Sequence, residues 1–301
     1  MKILAKFFAL LFALAFAAPV LAELRVFACE PEWGALTQEL GGDKVSIYTA
    51  TTALQDPHRI EAKPSLLARA RNADLLVCTG AELESGWLPV LLRQAGNANI
   101  QPGKPGYFEA AAFVRMLEIP ARLDRAEGDV HPAGNPHIQT DPRNIALAAD
   151  ALAKRLGEVD PANSAYYQAR YASFAQRWKL AMQHWEKESA PLKGVAVAFQ
   201  HKGFPYLTNW LGLREVAMLE PKPGVEPSSA HLAEVIAQLQ RQPAKMVIRA
   251  AYNDGRASAW LAERAKIPAV ELPFTVGGSP RAKDLFGLFD DTIERLLGAL
   301  K

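Results

Sequence analysis

One long stretch of evenly spaced aromatic residues limits how this chain can fold. Between residues 161 and 189, large apolar side chains recur at steps of three and four, at Tyr167, Tyr171, Phe174, Trp178, Met182 and Trp185. This spacing places them on one face of a single α-helix. The helix would begin after Asp160, run from Pro161 to Ser189, and span about 43 Å at 1.5 Å per residue. We interpret its aromatic face as core packing.

Strand-like runs and helical patterns alternate on both sides of this helix. The strand candidates are Leu24–Cys29, Val45–Thr51, Ala73–Cys78, Gly194–Gln200, Arg214–Leu219, Lys245–Ala250 and Pro268–Leu272. Such alternation is typical of α/β units with parallel strands. We therefore predict an α/β protein in which two parallel-sheet lobes are joined by one long, rigid helix. The predicted lobes comprise residues 23–160 and 191–301, and the linking helix comprises residues 161–190.

The first 22 residues have the layout of a cleaved secretory signal peptide. Lys2 and Lys6 precede an apolar run from Phe7 to Leu21, and the segment closes on Val20-Leu21-Ala22. The run is shorter than the about 20 residues that a membrane-spanning helix needs, although an uncleaved anchor is the alternative. Since no cysteine stands at the cleavage point, we expect a mature protein that begins at Glu23, in the periplasm and without a lipid anchor.

The charge balance argues against two classes of partner. Without the two lysines of the signal peptide, the 34 basic residues become 32, equal to the 32 acidic residues. Nucleic acids and anionic lipids select proteins with clustered positive charge. Neither is therefore expected as a partner, and we expect the chain to act as a monomer.

The two cysteines, Cys29 and Cys78, each end a strand-like run. Export would place them in an oxidising compartment, where a disulfide persists. If the two strands are parallel neighbours, their ends could lie within bridging distance, but the sequence does not reveal the Cα separation. The sequence therefore allows a disulfide between the two cysteines but does not establish one. Metal ligation by these cysteines is less favoured, because the chain has no Cys-x-x-Cys pair.

Three of the six histidines stand next to predicted strands or helices. His58 follows the second strand through a short loop, His137 precedes the helix that begins at Pro142, and His201 directly follows the first strand of the second lobe. Open α/β sheets bind ligands outside the carboxyl ends of their strands, and neutral imidazole is the commonest metal ligand in proteins. On spacing alone, a metal site and ordinary structural or solvated histidines are comparable alternatives.

The other three histidines are less informative. His184 lies beside the aromatic face of the long helix, and His231 lies in the first turn of a later helix, so we interpret both as surface or flanking residues. His131 stands six residues before His137. It could be a further ligand, a residue that passes metal to the site, or part of a loop.

Two short motifs around these histidines resemble those of a known family. They are Asp56-Pro57-His58 with Pro64-Ser65, and Asn135-Pro136-His137 with Asp141-Pro142. They look like the two N-lobe ligand motifs of the metal-specific substrate-binding proteins of ABC importers, and the resemblance covers essentially the whole mature chain. It implies a metal cleft between two lobes and a receptor whose partners are the importer's membrane subunits. It also implies His58, His137 and His201 as the ligands.

The implied ligand set favours Zn²⁺ over Mn²⁺. His201 falls where zinc-type members of the family use histidine and where manganese-type members commonly use an acid. Three imidazoles also suit Zn²⁺, whereas oxygen-rich ligand sets suit Mn²⁺. We therefore expect Zn²⁺ as the bound and transported ion, with Mn²⁺ as the less favoured alternative.

Two departures from the family pattern leave part of the site open. The family commonly takes a fourth, acidic ligand from a loop after a late strand, but the corresponding segment here, Leu272–Gly278, holds no acid. A water molecule, Asp284, Asp254 or His131 could fill the fourth position. The histidine-rich acidic loop of many zinc-type members is reduced to Asp129-Val130-His131, which puts a metal-gathering role for it in doubt.

Two other classes of function are alternatives. A zinc-dependent hydrolase would also use three protein ligands and a water, but the sequence has no His-Glu-x-x-His motif and no recognisable base beside a ligand. A receptor for an organic solute would need aromatic and arginine residues along the cleft. The aromatic residues that can be placed lie mostly on the long helix. The primary prediction is a zinc receptor that is not an enzyme.

Overall fold

Two four-stranded parallel sheets, one before and one after a long helix, form the framework of the protein. The computed structural model describes residues 23–122, 128 and 130–301. The predicted signal peptide (residues 1–22) and Asp129 lie outside the described residues. Within the part of the chain that is described, no helix is both long and apolar enough to cross a membrane.

The first sheet has the strand order β2-β1-β3-β4, and all its strands are parallel. Its elements are β1 (Leu24–Ala28), α1 (Pro31–Gly41), β2 (Val45–Thr49), α2 (Pro64–Arg71), β3 (Leu75–Cys78), α3 (Leu88–Ala95), β4 (Tyr107–Glu109) and α4 (Pro142–Val159). The central strand β3 is buried along its whole length. Continuous burial is expected of a parallel strand that is covered by helices on both faces.

The second sheet repeats this topology with the order β6-β5-β7-β8. Its elements are β5 (Ala196–Phe199), α6 (Pro205–Leu211), β6 (Arg214–Met218), α7 (Ser229–Arg241), β7 (Met246–Ala250), α8 (Arg256–Ala265), β8 (Ala269–Leu272) and α9 (Leu285–Gly298). The prediction of an α/β protein with two parallel sheets is confirmed. In both sheets the first strand lies between the second and third, the kind of reversal beyond which open α/β sheets bind ligands.

The long helix α5 (Ser164–Glu188) joins the two sheets after a 3₁₀ turn at Pro161–Asn163. With 25 residues, it extends over about 38 Å. Its buried residues are Tyr167, Phe174, Trp178 and Trp185. The ring of Trp178 stacks on Phe174 and meets Trp185 edge-on, with centroid distances of 5.2 and 5.1 Å. The aromatic face of the helix is therefore packed into the core, as its spacing predicts.

The last helix, α9, reaches back to the first lobe. Leu285 and Phe289 belong to the buried cluster that contains the first sheet and the aromatic face of α5. Leu296, two turns later, packs in the core of the second lobe. The two lobes are therefore bridged by α9 as well as by α5.

The Cys29–Cys78 disulfide, which the sequence leaves open, is present. Because β1 and β3 are hydrogen-bonded neighbours, their carboxyl ends are adjacent and the two Cα atoms lie 4.8 Å apart. This separation falls within the range that a disulfide can bridge. Both cysteines are fully buried.

Candidate metal centre

The three histidines predicted as ligands lie together between the lobes. His58 follows β2 and His137 precedes α4 in the first lobe, whereas His201 follows β5 of the second. The ring centroids are 5.2 Å apart for His58 and His137, 5.9 Å for His137 and His201, and 6.2 Å for His58 and His201. With a metal ion about 2.0–2.1 Å from each nitrogen, a tetrahedral site sets such centroids roughly 5 Å apart. The distance between His58 and His137 matches this spacing, whereas the ring of His201 lies farther from both than in a closed site.

Short polar turns hold two of these histidines in place. Oδ1 of Asp56 accepts a hydrogen bond from the backbone N–H of His58 (3.0 Å), and Oδ1 of Asn135 accepts one from the backbone N–H of His137 (3.1 Å). Asp and Asn side chains commonly close turns in this way. In both turns a proline, Pro57 or Pro136, fixes one backbone torsion angle just before the histidine. The local sequence thus restricts the freedom of both imidazoles before any ligand arrives.

A carboxylate orients two of the imidazoles. Nδ1 of His58 lies 2.7 Å from Oδ1 of Asp56, and Nδ1 of His201 lies 2.7 Å from Oε2 of Glu220. Burial tends to raise the pKa of Asp56, but the hydrogen bond and charge of His58 lower it below its ordinary value. In the neutral tautomer that donates Nδ1–H to the carboxylate, Nε2 carries the lone pair that can bind a metal ion. Carboxylate–histidine pairs of this kind orient the ring and increase its basicity at metal centres.

His137 is the most buried of the three histidines. It is 2% exposed, and its Nδ1 has no hydrogen-bond partner in the described parts of the chain. Burial lowers the pKa of His137 well below the ordinary 6.5, and the neighbouring His58 and His201 lower it further. The imidazole is therefore neutral at pH 7, which is the form that binds a cation.

The histidines line a cavity to which both lobes contribute. The cavity measures ≈ 240 Å³, and its lining residues are His58, Glu118, Val130, His131, Asn135, His137, His201, Lys202 and Pro223. Beside the histidines, Nζ of Lys202 lies 3.1 Å from Oε1 of Glu118, and Nδ2 of Asn135 donates to the carbonyl oxygen of Lys202 at 2.9 Å. These contacts tie the two lobes together at the edge of the cavity.

Of the three side chains considered for the fourth position, His131 alone lines this cavity. Its ring centroid lies 5.3 Å from that of His58. Asp284 instead caps α9, where it accepts a hydrogen bond from the N–H of Gly287 at 2.8 Å. Asp254 pairs with Arg256.

The two remaining histidines lie elsewhere. The side chain of His184 is 68% exposed on α5. His231 lies at the start of α7, where its Nε2 is 3.2 Å from the carbonyl oxygen of Met218.

The imidazole nitrogens are more widely spaced than those of a closed metal site. Within the described ranges, the only group of three or more metal-ligating atoms that all lie within 4.8 Å of one another belongs to Cys29, Cys78 and Glu84. The two cysteines of that group form the disulfide. A tetrahedral zinc site would bring its nitrogens to about 3–4 Å. Metal binding at the histidines therefore requires the rings to rotate or the lobes to approach.

Three buried carboxyl groups lie near the ends of β1 and β3, and the sequence analysis does not single them out. Glu30, Glu32 and Glu84 are each at most 3% exposed. Burial raises the pKa of Glu32 and of Glu84 to about 7, although hydrogen bonds partly offset it. The pKa of Glu30 is raised well above its ordinary value by burial, by Glu84 and by Glu32. Glu32 also accepts a hydrogen bond from the hydroxyl of Thr275 and so contacts the second lobe.

Sequence reasoning also misses Glu220, the partner of His201. A usable signal exists, because Glu220 follows β6 and His201 follows β5, and these strands are parallel neighbours. Residues that follow neighbouring parallel strands meet at one edge of the sheet.

Comparison with known proteins gives a consistent picture. Residues 26–299 match the family ZnuA, described as zinc-uptake complex component A, periplasmic. The manganese ABC transporter substrate-binding lipoprotein PsaA of Streptococcus pneumoniae is 23% identical over 244 residues, which cover 80% of this chain and 76% of the relative. PsaA of Streptococcus mitis is 21% identical over 264 residues, 87% of this chain and 83% of the relative.

Solved structures show the same fold. The crystal structure of ZnuA has a TM-score of 0.76 at 23% identity, and the alignment covers 93% of this chain and 100% of that one. The Mn-bound periplasmic metal binding protein from Candidatus Liberibacter asiaticus has a TM-score of 0.75 at 16% identity, again over 93% and 100% of the two chains. Since the family match extends from the first strand to the last helix, the chain belongs to the ZnuA family, whose members are periplasmic metal-binding receptors of ABC importers and not enzymes.

Proposed function

We propose that the protein binds one Zn²⁺ ion through His58, His137 and His201 and delivers it to the membrane subunits of an ABC importer. The observation that carries this proposal is the pairing of His58 and His201 with carboxylates at 2.7 Å. In each pair, the carboxylate occupies Nδ1, so that Nε2 is the nitrogen left to bind a metal ion. The third ring, His137, is neutral because it is buried. Three neutral imidazoles are the ligands of a well-known class of zinc site.

The chemistry of the cavity supports Zn²⁺ over Mn²⁺. Imidazole suits Zn²⁺, whereas carboxylate and carbonyl oxygens suit Mn²⁺. The two carboxylates next to the histidines, Asp56 and Glu220, already accept hydrogen bonds from imidazole Nδ1. The loop after β8 brings Phe274, not an acid, against the ring of His137, with a centroid distance of 5.1 Å. A manganese receptor is the second candidate, because the streptococcal relatives are named as manganese proteins.

The division of the ligands between two lobes supports a transport role. His58 and His137 belong to the first lobe and His201 to the second. We propose residues 23–160 and 191–301 as the lobes and residues 161–190 as their link. A small relative movement of the lobes would separate His201 from the other ligands, so the same site can hold the ion firmly and then release it.

Metal analysis and competition titration of the mature protein test this proposal. We expect one zinc ion per chain and a preference for Zn²⁺ over Mn²⁺ at equal free concentrations. His58→Ala, His137→Ala and His201→Ala should each weaken zinc binding at least tenfold, about 1.4 kcal/mol. His184→Ala is the matched control, since this histidine lies exposed on α5, and its zinc affinity should equal that of the wild type.

Three results would contradict the proposal. A protein that binds no zinc, or that prefers Mn²⁺ under these conditions, would exclude a zinc receptor. Normal zinc affinity in His201→Ala would mean that the second lobe contributes no ligand.

A further inference from the structure

A fourth imidazole stands in the same cavity as the three proposed ligands. The ring of His131 has its centroid 5.3 Å from that of His58, and the planes are inclined at 35°. The ring of His137 lies 5.2 Å from that of His58. His131 and His137 are therefore at nearly the same distance from His58. Both line the cavity to which the second lobe contributes His201.

The carboxylate in the lining of this cavity is already engaged. Glu118 is the acidic residue among the described lining residues. Its Oε1 pairs with Nζ of Lys202 at 3.1 Å, and its Oε2 accepts a hydrogen bond from Nδ2 of Asn135 at 3.2 Å. A metal ion bound by Glu118 would compete with these partners and would lie close to the ammonium of Lys202. Coulomb repulsion between two cations at such a distance opposes that arrangement.

The loop after β8 places an aromatic ring against His137. Phe274 packs edge-on against His137 at 5.1 Å, and it also contacts Phe204 and Tyr252, both with centroids 5.3 Å away. The next residue, Thr275, donates its hydroxyl hydrogen to Glu32 of the first lobe. Within the described residues, the second lobe therefore presents His201 as its one metal-ligating side chain in the cavity lining.

We infer that His131 is the fourth metal ligand and that it sets the preference for Zn²⁺ over Mn²⁺. The site would then consist of four imidazoles, three from the first lobe and one from the second. Four nitrogen donors match the tetrahedral preference of Zn²⁺ and lack the oxygen ligands that suit Mn²⁺. This inference rests on the proposed function, because it concerns the same bound ion.

Two substitutions at position 131 test the inference, with Zn²⁺, Mn²⁺ and Co²⁺ as probes. His131→Ala should weaken zinc binding at least tenfold. It should also change the visible absorption of the Co²⁺-loaded protein, since a water molecule would replace a nitrogen ligand. His131→Asp supplies an oxygen ligand instead, and it should reduce the ratio of zinc to manganese affinity at least tenfold. His184→Ala should change neither the affinities nor the Co²⁺ spectrum. Unfolding of each variant in the presence of a chelator checks that the metal-free fold is intact.

The outcomes separate this inference from the proposed function. If wild-type protein and His184→Ala bind zinc, and His58→Ala does not, the proposed function stands. An unchanged zinc affinity and an unchanged Co²⁺ spectrum in His131→Ala would then refute His131 as a ligand. A zinc-to-manganese ratio that His131→Asp leaves unaltered would refute its role in metal preference. If His58→Ala binds zinc as the wild type does, the proposed function itself fails.

Discussion

Replacement of Glu32 by glutamine should remove a pH-dependent loss of stability. Glu32 is 1% exposed and accepts a hydrogen bond from Thr275 across the lobes. Burial raises its pKa from 4.5 to about 7, although the bond from Thr275 partly offsets this rise. The folded protein therefore holds a proton at Glu32, between about pH 4.5 and pH 7, that the unfolded chain has lost.

The sign and size of the effect follow from proton linkage. Because the folded state binds more protons in this interval, the free energy of unfolding falls as the pH rises through it. A shift from an ordinary carboxyl pKa of 4.5 to about 7 corresponds to ~3 kcal/mol, at roughly 1.4 kcal/mol per pH unit. Glutamine keeps an oxygen acceptor for Thr275 and cannot ionise. The stability of Glu32→Gln relative to the wild type should therefore rise by up to ~3 kcal/mol between pH 4.5 and pH 8.

Denaturant unfolding of the metal-free proteins, in chelator and at several pH values, measures this difference. Comparing the two proteins at the same pH cancels the titration of groups that do not interact with Glu32, such as His137, and leaves the titration of Glu32 together with its effect on Glu30. Glu61→Gln is the control substitution, because Glu61 is exposed. If the difference between Glu32→Gln and the wild type stayed constant from pH 4.5 to pH 8, Glu32 would be ionised in the folded protein and the reasoning would be wrong.

Four further outcomes are expected. Trp178→Ala should lower the free energy of unfolding by about 3–5 kcal/mol, because it removes a buried aromatic side chain and leaves a cavity. Leu180→Ala is the control on the same helix; Leu180 is 60% exposed, so this change should alter the free energy of unfolding by less than about 0.5 kcal/mol. Reduction of the Cys29–Cys78 bond, whose partners are 49 residues apart, should cost about 4 kcal/mol, and an unchanged denaturation midpoint with a dithiol would contradict this. Glu220→Gln should weaken zinc binding about 10–100-fold in competition titrations, because it removes the carboxylate that orients an imidazole. Zinc should raise the unfolding temperature less at pH 5 than at pH 7, since protons compete for imidazole nitrogens as the pH falls below roughly 6.5, and a constant shift would indicate carboxylate ligands.

The longer helices and strands could be predicted because the spacing of their apolar residues along the chain shows which faces are buried. The predicted helix over 161–189 corresponds to α5 and the turn before it. It could be predicted because large apolar residues at every third or fourth position fit the periodicity of an α-helix and not that of a strand. The strands around Val77 and Val197 are continuous apolar runs, as buried parallel strands are. The short strand β4 could not be found in this way, because three residues carry no periodicity and their pairing with β3 defines them. The helix α1 could not be predicted in this way either, because its sequence contains Gly34 and Gly41 and glycine lowers helix propensity.

The site could be predicted only in part, for a related reason. His58, His137 and His201 stand beside strand ends or helix starts, and this position is visible in the sequence. The role of Glu220 depends on the pairing of β5 with β6, whose register shifts at Val197 and Ala198. The partners of Glu118 and the place of His131 depend on how closely the lobes approach, which no local pattern encodes.

The position of α9 has a consequence for the order in which the protein folds. Phe289 and Ile293 lie in the same buried cluster as Val26 and Trp33, which stand near the opposite end of the chain. Contacts between such distant positions form slowly, because closing so large a loop costs conformational entropy before any contact is gained. The lobe that is synthesised first is therefore completed last. Until the residues after Leu285 have emerged, a nascent or truncated chain exposes an apolar surface of the kind that chaperones bind.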